Sequence, residues 1–413
     1  MKFKADGRVE NIFEKEQRRQ VEGLELIPSE NYVSKNVLQA LGSIFTNKYS
    51  EGYPKKRYYG GNQYIDEAEI LAIERAQKLF KTNYHVNVQP YSGSPANIAV
   101  FFGLLEFGDK IMGMNLSQGG HLTHGHKVNF SGRAYKVVQY GVRKGDERLD
   151  YKEIERIAIK EKPKIIICGA TAYPREIDFK KFAKIAKKSK SILMADISHI
   201  AGLIVAGVHN SPFGYADVVT TTTHKTLRGP RSAIIFCKKQ YAQDIDRAVF
   251  PGLQGGPHDH VTLAKAVAFG EALKPGFKTY GRQIVKNTQA LAEVLSGGGL
   301  RVVSGGTDNH LLLVDLTPLG VVGKQAEKWL EDVNISVNKN TIPYDPRSPF
   351  DPSGIRLGTP AITSRGMRER DMKKVGEFIV RTIKSAGRAS ELRQIKKEVI
   401  AFSKKFPVPG ITK

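Results

Sequence analysis

Apolar and polar positions along this 413-residue chain follow two rhythms, and the changes between them lay out most of a fold. Residues 218–223, VVTTTT, are β-branched throughout, which suits a pleated strand because branching at Cβ restricts χ1. The apolar run 233–237 begins too soon afterwards for a crossover helix to fit, so the two runs should pair antiparallel. Residues 165–168 and 192–195 flank a helical stretch, 179–189, with Phe179, Phe182, Ala183 and Ala186 on one face. That is a βαβ unit with parallel strands.

Upstream, the pattern predicts a charged helix over 8–22, a loop over 24–32, and a helix over 66–80 whose face is Ile70, Leu71, Ile73, Ala76 and Leu79. A short strand at 86–88 leads into a helix ending near Leu105, with Ser94 as its cap and Pro95 as its first residue. A strand follows at 110–114, and a long helix at 261–273. A Pro-Gly break at 275–276 marks a boundary. Beyond it come strands at 310–316, 335–338 and 354–357, with helices at 324–333 and 370–385. The expected organisation is α/β: an N-terminal arm and large domain over 1–273, and a smaller α+β domain over 274–413.

Composition narrows the classes. No run approaches the roughly 20 apolar residues that span a bilayer, and the first twenty residues lack the apolar middle of a secretory signal, so a cytoplasmic protein is expected. Cys168 and Cys237 sit in apolar, strand-like runs and read as small buried hydrophobes. The net charge of +23 points toward nucleic acid. However, the lysines are spread along the chain, as on the polar face of 179–190, which favours a solvated surface and is consistent with a phosphate-bearing small ligand.

Candidate chemistry gathers at strand ends. Lys225 follows the threonine run and precedes Arg228-Gly229-Pro230-Arg231, where neither ladder nor helix can continue. A strand-end lysine is commonly a solvated charge, but neighbouring cations lower a lysine's pKa and make its amine nucleophilic. The turn Ser92-Gly93-Ser94 before a helix offers backbone amides and hydroxyls to an anion, or is simply a capped helix. Asp196 ends the strand 192–195 with His199 three residues on; it either caps a helix or belongs to a site. Open α/β sheets bind ligands at the carboxyl ends of their strands, where Asp196, Thr171, the Ser92 turn and Lys225 converge. The loop 47–61, NKYSEGYPKKRYYGG, carries Glu51 among four tyrosines and reads equally as an oligomer interface or as an acid-base loop. His121, His124 and His126 lack acidic or cysteine neighbours, so no metal centre is expected. Arg356, between Ile355 and Leu357, either faces solvent or serves a carboxylate.

Taken together, VVTTTTHKTLRGPR, SENY, NKYSEGYPKKRYYGG, QPYSGSPAN, GMNLSQGGHLTHG, DISHIAGL, FPGLQGGP, SGGTDNHLLLVDL and GIRLGTPAIT resemble serine hydroxymethyltransferase, of the pyridoxal-phosphate fold-type I group, in unbroken order over about residues 25–363. The resemblance implies a large domain with a mostly parallel seven-stranded sheet and a smaller C-terminal α+β domain. It also implies interconversion of L-serine and tetrahydrofolate with glycine and 5,10-methylenetetrahydrofolate, using pyridoxal 5'-phosphate.

By the same resemblance Lys225 carries the cofactor, with His224 and Thr222 bordering it. Asp196 pairs with the pyridine nitrogen so that the ring acts as an electron sink. His121 stacks on the ring, Thr171 and His199 bond near its phenolic oxygen, and Ser92, Gly93 and Ser94 hold the phosphate. Gly256 and Tyr49 reach that phosphate from a neighbouring subunit, and Glu51, which handles protons, and Tyr59 also come from the partner, so a homodimer, or a tetramer made of two dimers, is implied. Arg356 clamps the substrate carboxylate with Ser29 assisting. The folate lies against Leu116, Gly120 and Leu122, with Asn340, Ser348 and Pro349 near its pterin. Pro28, Pro95 and Thr171 depart from the residues usual in the family without removing a reacting group. Two other readings stay open here: a β-hydroxy-amino-acid aldolase of the same fold, which needs the lysine but neither the Glu51 loop nor the folate residues, and a basic nucleic-acid-binding protein on a degenerate enzyme fold.

Overall fold

In the computed structural model, residues 4–412 are described. Seven strands form the larger sheet: β1 (His85–Asn87), β2 (Lys110–Met114), β3 (Lys136–Tyr140), β4 (Ile165–Cys168), β5 (Ile192–Asp196), β6 (Val218–Thr222) and β7 (Ala233–Cys237). Their order is β1-β7-β6-β5-β4-β2-β3. Only β7 runs against its neighbours, so the antiparallel β6–β7 pair and the parallel βαβ unit expected from the pattern are both present. β4, β6 and β7 are buried along their whole length, as strands covered on both faces must be. β3 at the edge has exposed residues and begins with a lysine, which blunts further pairing.

The buried helix Gly93–Leu104 supplies Val100 and Phe101 to a core with Ile111, Ile165, Ile167, Met194, Val218 and Ile235. Helix Phe179–Ser189 buries Phe179, Phe182, Ile185 and Ala186 and is capped by Asp178, whose carboxylate accepts the Lys181 amide at 2.9 Å. Helix Gln63–Phe80 starts earlier than its periodicity suggests, and its buried face is Ile65, Ala68, Glu69, Ala72, Ala76, Leu79 and Phe80; Leu71 is exposed. The expected face was off because a buried Glu69 with its own polar partners breaks the apolar pattern. Among the described residues no helix is long and apolar enough to cross a membrane.

Contacts divide the chain into two compact units. One comprises 36–171 with 176–281, the other the residues up to Lys35, 172–175 and 282–413. The boundary therefore falls inside the helix Pro275–Gly297, close to the break at 275–276, and the N-terminal arm groups with the C-terminal unit rather than with the sheet just described. The reason is a strand pairing between segments distant in sequence. Leu24–Glu25, expected as loop, pairs in parallel with Ile335–Ser336.

This second unit has a four-stranded antiparallel sheet, ordered Arg301–Val302, Leu311–Asp315, Gly354–Gly358, Asn338–Asn340. Helices Gly323–Asp332, Glu369–Lys384 and Ala389–Ser403 pack on its core. The arm is pinned by Arg365, whose guanidinium donates to the carbonyls of Val21, Gly23, Ser403 and Phe406 at 2.6–3.1 Å. These carbonyls lie at or just beyond the C-terminal ends of two helices, where carbonyls lack helical partners and the dipole is negative. Arg365→Met is expected to lower stability by on the order of 3–5 kcal/mol, because it leaves several buried carbonyls unpaired at once. The urea midpoint measures this, and an unchanged midpoint would show that the guanidinium is dispensable.

Candidate active site

Lys225 lies on the connection between β6 and β7, beyond the end of β6, and is half-buried. The connection is fixed from both sides. The Thr223 amide donates to Ser232 O at 3.0 Å and its hydroxyl to Pro230 O at 2.5 Å, while the amides of Arg228 and Gly229 return to Lys225 O and Thr223 O. Thr226 ties the loop to the end of β5 by donating to His199 O and accepting the Gly202 amide, both at 2.9 Å. Arg228, expected among the cations crowding the lysine, adopts a left-handed φ of 58° and lays its guanidinium on the ring of Tyr280 at 4.6 Å. Burial, then the charges of Lys225 and Arg231, push the His224 imidazole down to about 3, so it is neutral at physiological pH.

Asp196 ends β5 as a buried carboxylate. It accepts from the Ser198 amide at 3.1 Å, from Asn97 Nδ2 at 2.9 Å and from His124 Nε2 at 3.1 Å. Burial opposes its ionisation, but the hydrogen bond from His124, the electrostatics of the His124 and His121 rings and the contact with Ser198 hold its carboxyl well below the usual carboxylate range. The His124 tautomer follows from its other nitrogen: Nδ1 accepts the His121 amide at 3.3 Å, leaving Nε2 to donate. Asn97 is fixed in turn, accepting from Thr220 at 2.7 Å and donating to Thr123 at 2.8 Å. Thr123 orients the His121 ring through contacts of 2.7 and 3.2 Å to Nδ1. The histidine run, unpromising as a metal centre, thus serves an aspartate. His124, Asn97 and Thr123 escaped sequence reasoning because nothing in their spacing places them at the end of β5.

The turn after β1 differs from expectation in one respect. Ser92, not Ser94, is the N-cap, with extended backbone and no side-chain cap bond, and Gly93 opens the helix. Pro95 is therefore third and lacks an N–H, so the amides at the helix start belong to Gly93 and Ser94. Gly93 has a steric reason as well: a Cβ there would lie 2.7 Å from Thr222 Cγ2. Thr171, beyond β4, is held by donation from its amide to Gly119 O at 2.8 Å. His199 is buried beside Ser198. Leu116 and Gly120 lie on the loop after β2, where a Cβ at 120 would overlap Met114 O at 2.0 Å, and Leu122 is exposed. Thr171, Asp196, Ser92 and Lys225 all stand at carboxyl ends of strands in this sheet, as a ligand site in an open α/β sheet requires.

A second cluster of this unit surrounds Glu51. Tyr49 donates to Glu51 Oε1 at 3.2 Å and meets Tyr59 edge-on at 5.1 Å. The tyrosine ring also covers Gly256, at 3.4 Å from where a Cβ would stand. The loop 47–61, read only as irregular from its composition, contains a hairpin, Gly52–Tyr53 with Lys56–Arg57.

In the other unit, Arg356 is buried on the strand Gly354–Gly358, opposite Leu313 and Asn338, and its Nε donates to Asn338 Oδ1 at 3.1 Å. Burial lowers its pKa to about 10, which leaves it cationic at neutral pH. Ser29 sits half-buried in a turn whose Pro28 packs against Gly358. Asn340 bonds Thr341 O, while Ser348 and Pro349 are exposed.

The first unit therefore holds an ionised carboxylate, an oriented imidazole, a helix N-terminus and a lysine on a braced loop. These residues fit pyridoxal phosphate: the helix start suits its phosphate, and Asp196, kept anionic by three donors, suits a protonated ring nitrogen. Fold and site together define a fold-type I pyridoxal-phosphate enzyme. The sequence profile of the serine hydroxymethyltransferase family matches residues 3–379. A serine hydroxymethyltransferase of Acidothermus cellulolyticus is 54% identical over 412 residues, covering 98% of this chain and 96% of its own. The chain belongs to the serine hydroxymethyltransferase family; it is a pyridoxal-phosphate-dependent one-carbon transferase that interconverts serine and glycine with tetrahydrofolate as cosubstrate.

Proposed function

We propose that the residues gathered above divide this reaction among themselves as follows. When bound, the cofactor supplies an electron sink for bonds broken at the substrate α-carbon. Lys225 would hold it through its side-chain amine, with His224 and Thr222 bordering that amine. Asp196 keeps the ring nitrogen protonated, and the hydrogen bonds from His124 and Asn97 keep Asp196 anionic. His121 covers the ring, Thr171 and His199 serve its phenolic side, and Ser92, Gly93 and Ser94 take the phosphate. Arg356 binds the substrate carboxylate with Ser29, orienting the α-carbon. Leu116, Gly120, Leu122, Asn340, Ser348 and Pro349 receive the folate.

Glu51, Tyr59, Tyr49 and Gly256 act in the site of a second copy of the chain, so the working unit is a homodimer, in the cytoplasm. The observation that carries this reading is the anionic Asp196 on the same sheet edge as Lys225. Sharing between subunits has a direct test. Lys225→Ala and Glu51→Gln proteins, each inactive, are mixed under conditions of subunit exchange. Half of the random dimers then carry one intact site, restoring about one quarter of wild-type activity. No recovery despite exchange would place Glu51 in its own chain's site.

A further inference from the structure

Ser50, immediately before Glu51, is completely buried, and its hydroxyl lies 2.6 and 2.8 Å from the two carboxylate oxygens of Asp259, itself only 3% exposed. Asp259 is the first residue of the helix Asp259–Ala272 and stands three positions after Gly256. On the far side of Glu51 the Gly52 carbonyl accepts from Arg57 at 2.8 Å and Gln89 at 2.9 Å, and Arg57 also holds the Ser50 carbonyl at 2.9 Å. Arg57 and Gln89 are in turn fixed by Glu69, at 2.7 and 2.9 Å. The carboxylate of Glu51 lies 3.1 Å from where a Cβ on Gly255 would stand. The side chain of Ser50 is thus a direct bond between the segment that presents Glu51 and the helix that follows the Gly255-Gly256 loop.

A buried hydroxyl–carboxyl pair is an expensive way to join two elements, since an apolar pair of similar volume would avoid the desolvation of a carboxylate. Its return is a fixed distance and register that van der Waals contact does not impose. The geometry narrows its form. The single hydroxyl proton is shared between the two carboxyl oxygens or given to one of them, with both oxygens held at short distance. Burial raises the carboxyl's pKa, against the hydrogen bond from Ser50 and the charges of Arg57, Lys48 and His260.

We propose that Ser50 and Asp259 are a positioning pair for Glu51: Asp259 touches neither substrate nor cofactor, and acts by holding Ser50, and through it the Glu51 carboxylate, at a set height beside Gly255. This rests on the reading of Glu51 as the group that handles protons in folate-dependent serine cleavage. Folate-independent cleavage of threonine, which does not need the Glu51 loop, is the internal control.

The test is steady-state kinetics of both reactions on the holoenzymes of Ser50→Ala, Asp259→Ala, Asp259→Asn, the Ser50→Ala/Asp259→Ala double variant and Glu51→Gln. Ser50→Ala and Asp259→Ala should each lower kcat for folate-dependent serine cleavage about tenfold, with KM for serine and threonine cleavage within about twofold of wild type, as a small misplacement of a reacting group does. The double variant should be no worse than either single one. Asp259→Asn, whose amide both accepts from and donates to the serine hydroxyl, should recover activity to within about threefold of wild type. Wild-type kcat in Ser50→Ala and Asp259→Ala, equal losses in both reactions, or an asparagine no better than alanine would each overturn the proposal. Where Glu51→Gln loses folate-dependent activity and the pair variants do not, only the positioning role fails; where Glu51→Gln itself is fully active, the reading of Glu51 fails and the pair's role with it.

Discussion

Lys225→Ala is expected to fold normally and to turn serine over at least about 10⁴-fold more slowly than the wild type, the scale seen when a reacting side chain is removed from a site that stays otherwise intact. Normal folding follows from how the loop is built. Its shape is set by Thr223 bonding Ser232 and Pro230, by the Arg228 and Gly229 amides, and by Thr226 bonding His199 and Gly202. None of these bonds uses the lysine side chain. Lys225→Arg should be no better than alanine, because a guanidinium does not give up its proton to become a nucleophile and its planar fork is a different shape. Steady-state rates with serine and tetrahydrofolate give the first readout. Borohydride treatment of wild-type holoenzyme followed by peptide mapping gives the second, with the cofactor expected on the peptide containing Lys225. Full turnover in the alanine variant, or label on another peptide, would remove the basis of the assignment.

Arg356→Ala is expected to cost about a thousandfold in kcat/KM for serine. In its proposed role two charge-assisted hydrogen bonds to the substrate carboxylate are lost, each worth roughly 1.5–3 kcal/mol in a buried setting. Arg356→Lys should recover little, since an ammonium on a flexible stem cannot reproduce a bidentate fork whose Nε is already committed to Asn338. A pH effect accompanies this. Burial disfavours the cation and brings its pKa down to about 10; below that value the guanidinium is charged and binds carboxylate, and above it the charge is lost. In the wild type kcat/KM for serine should therefore fall as pH rises through about 10, after correction for the substrate's own ionisation. A variant at Arg356 with unchanged kcat/KM would assign the carboxylate to another residue.

How much of this was legible beforehand depended on whether a feature is local. The β-branched run of β6, the short spacing to β7 and the apolar face of helix Phe179–Ser189 are decided within a few residues, and each appears as the pattern suggests. The position of Lys225, Asp196 and Thr171 at strand ends followed from the same short-range signals. The cap of helix Gly93–Leu104 was displaced by two residues because Ser92 and Ser94 are equally good caps on paper; the choice is made by the space that Thr222 leaves for a residue without a side chain. The ligand set of Asp196 was invisible, since Asn97, His124 and Ser198 come from three separate loops and helices. The grouping of the N-terminal arm with the C-terminal unit rests on partners far apart in sequence: Leu24–Glu25 pairs with Ile335–Ser336, and Arg365 binds the carbonyls of Val21 and Gly23 more than 340 residues away.

The close fit between Gly93 and Thr222 makes two parts of the site that are far apart in sequence answer to one another. With a methyl of Thr222 filling the volume that any larger residue at 93 would need, the turn at the start of helix Gly93–Leu104 cannot be rebuilt without displacing the strand that leads to the lysine three residues later. If this turn takes the cofactor's phosphate as proposed, evolution or engineering that aims to retune that grip would have to work through Ser92 and Ser94, or change residues 93 and 222 as a pair.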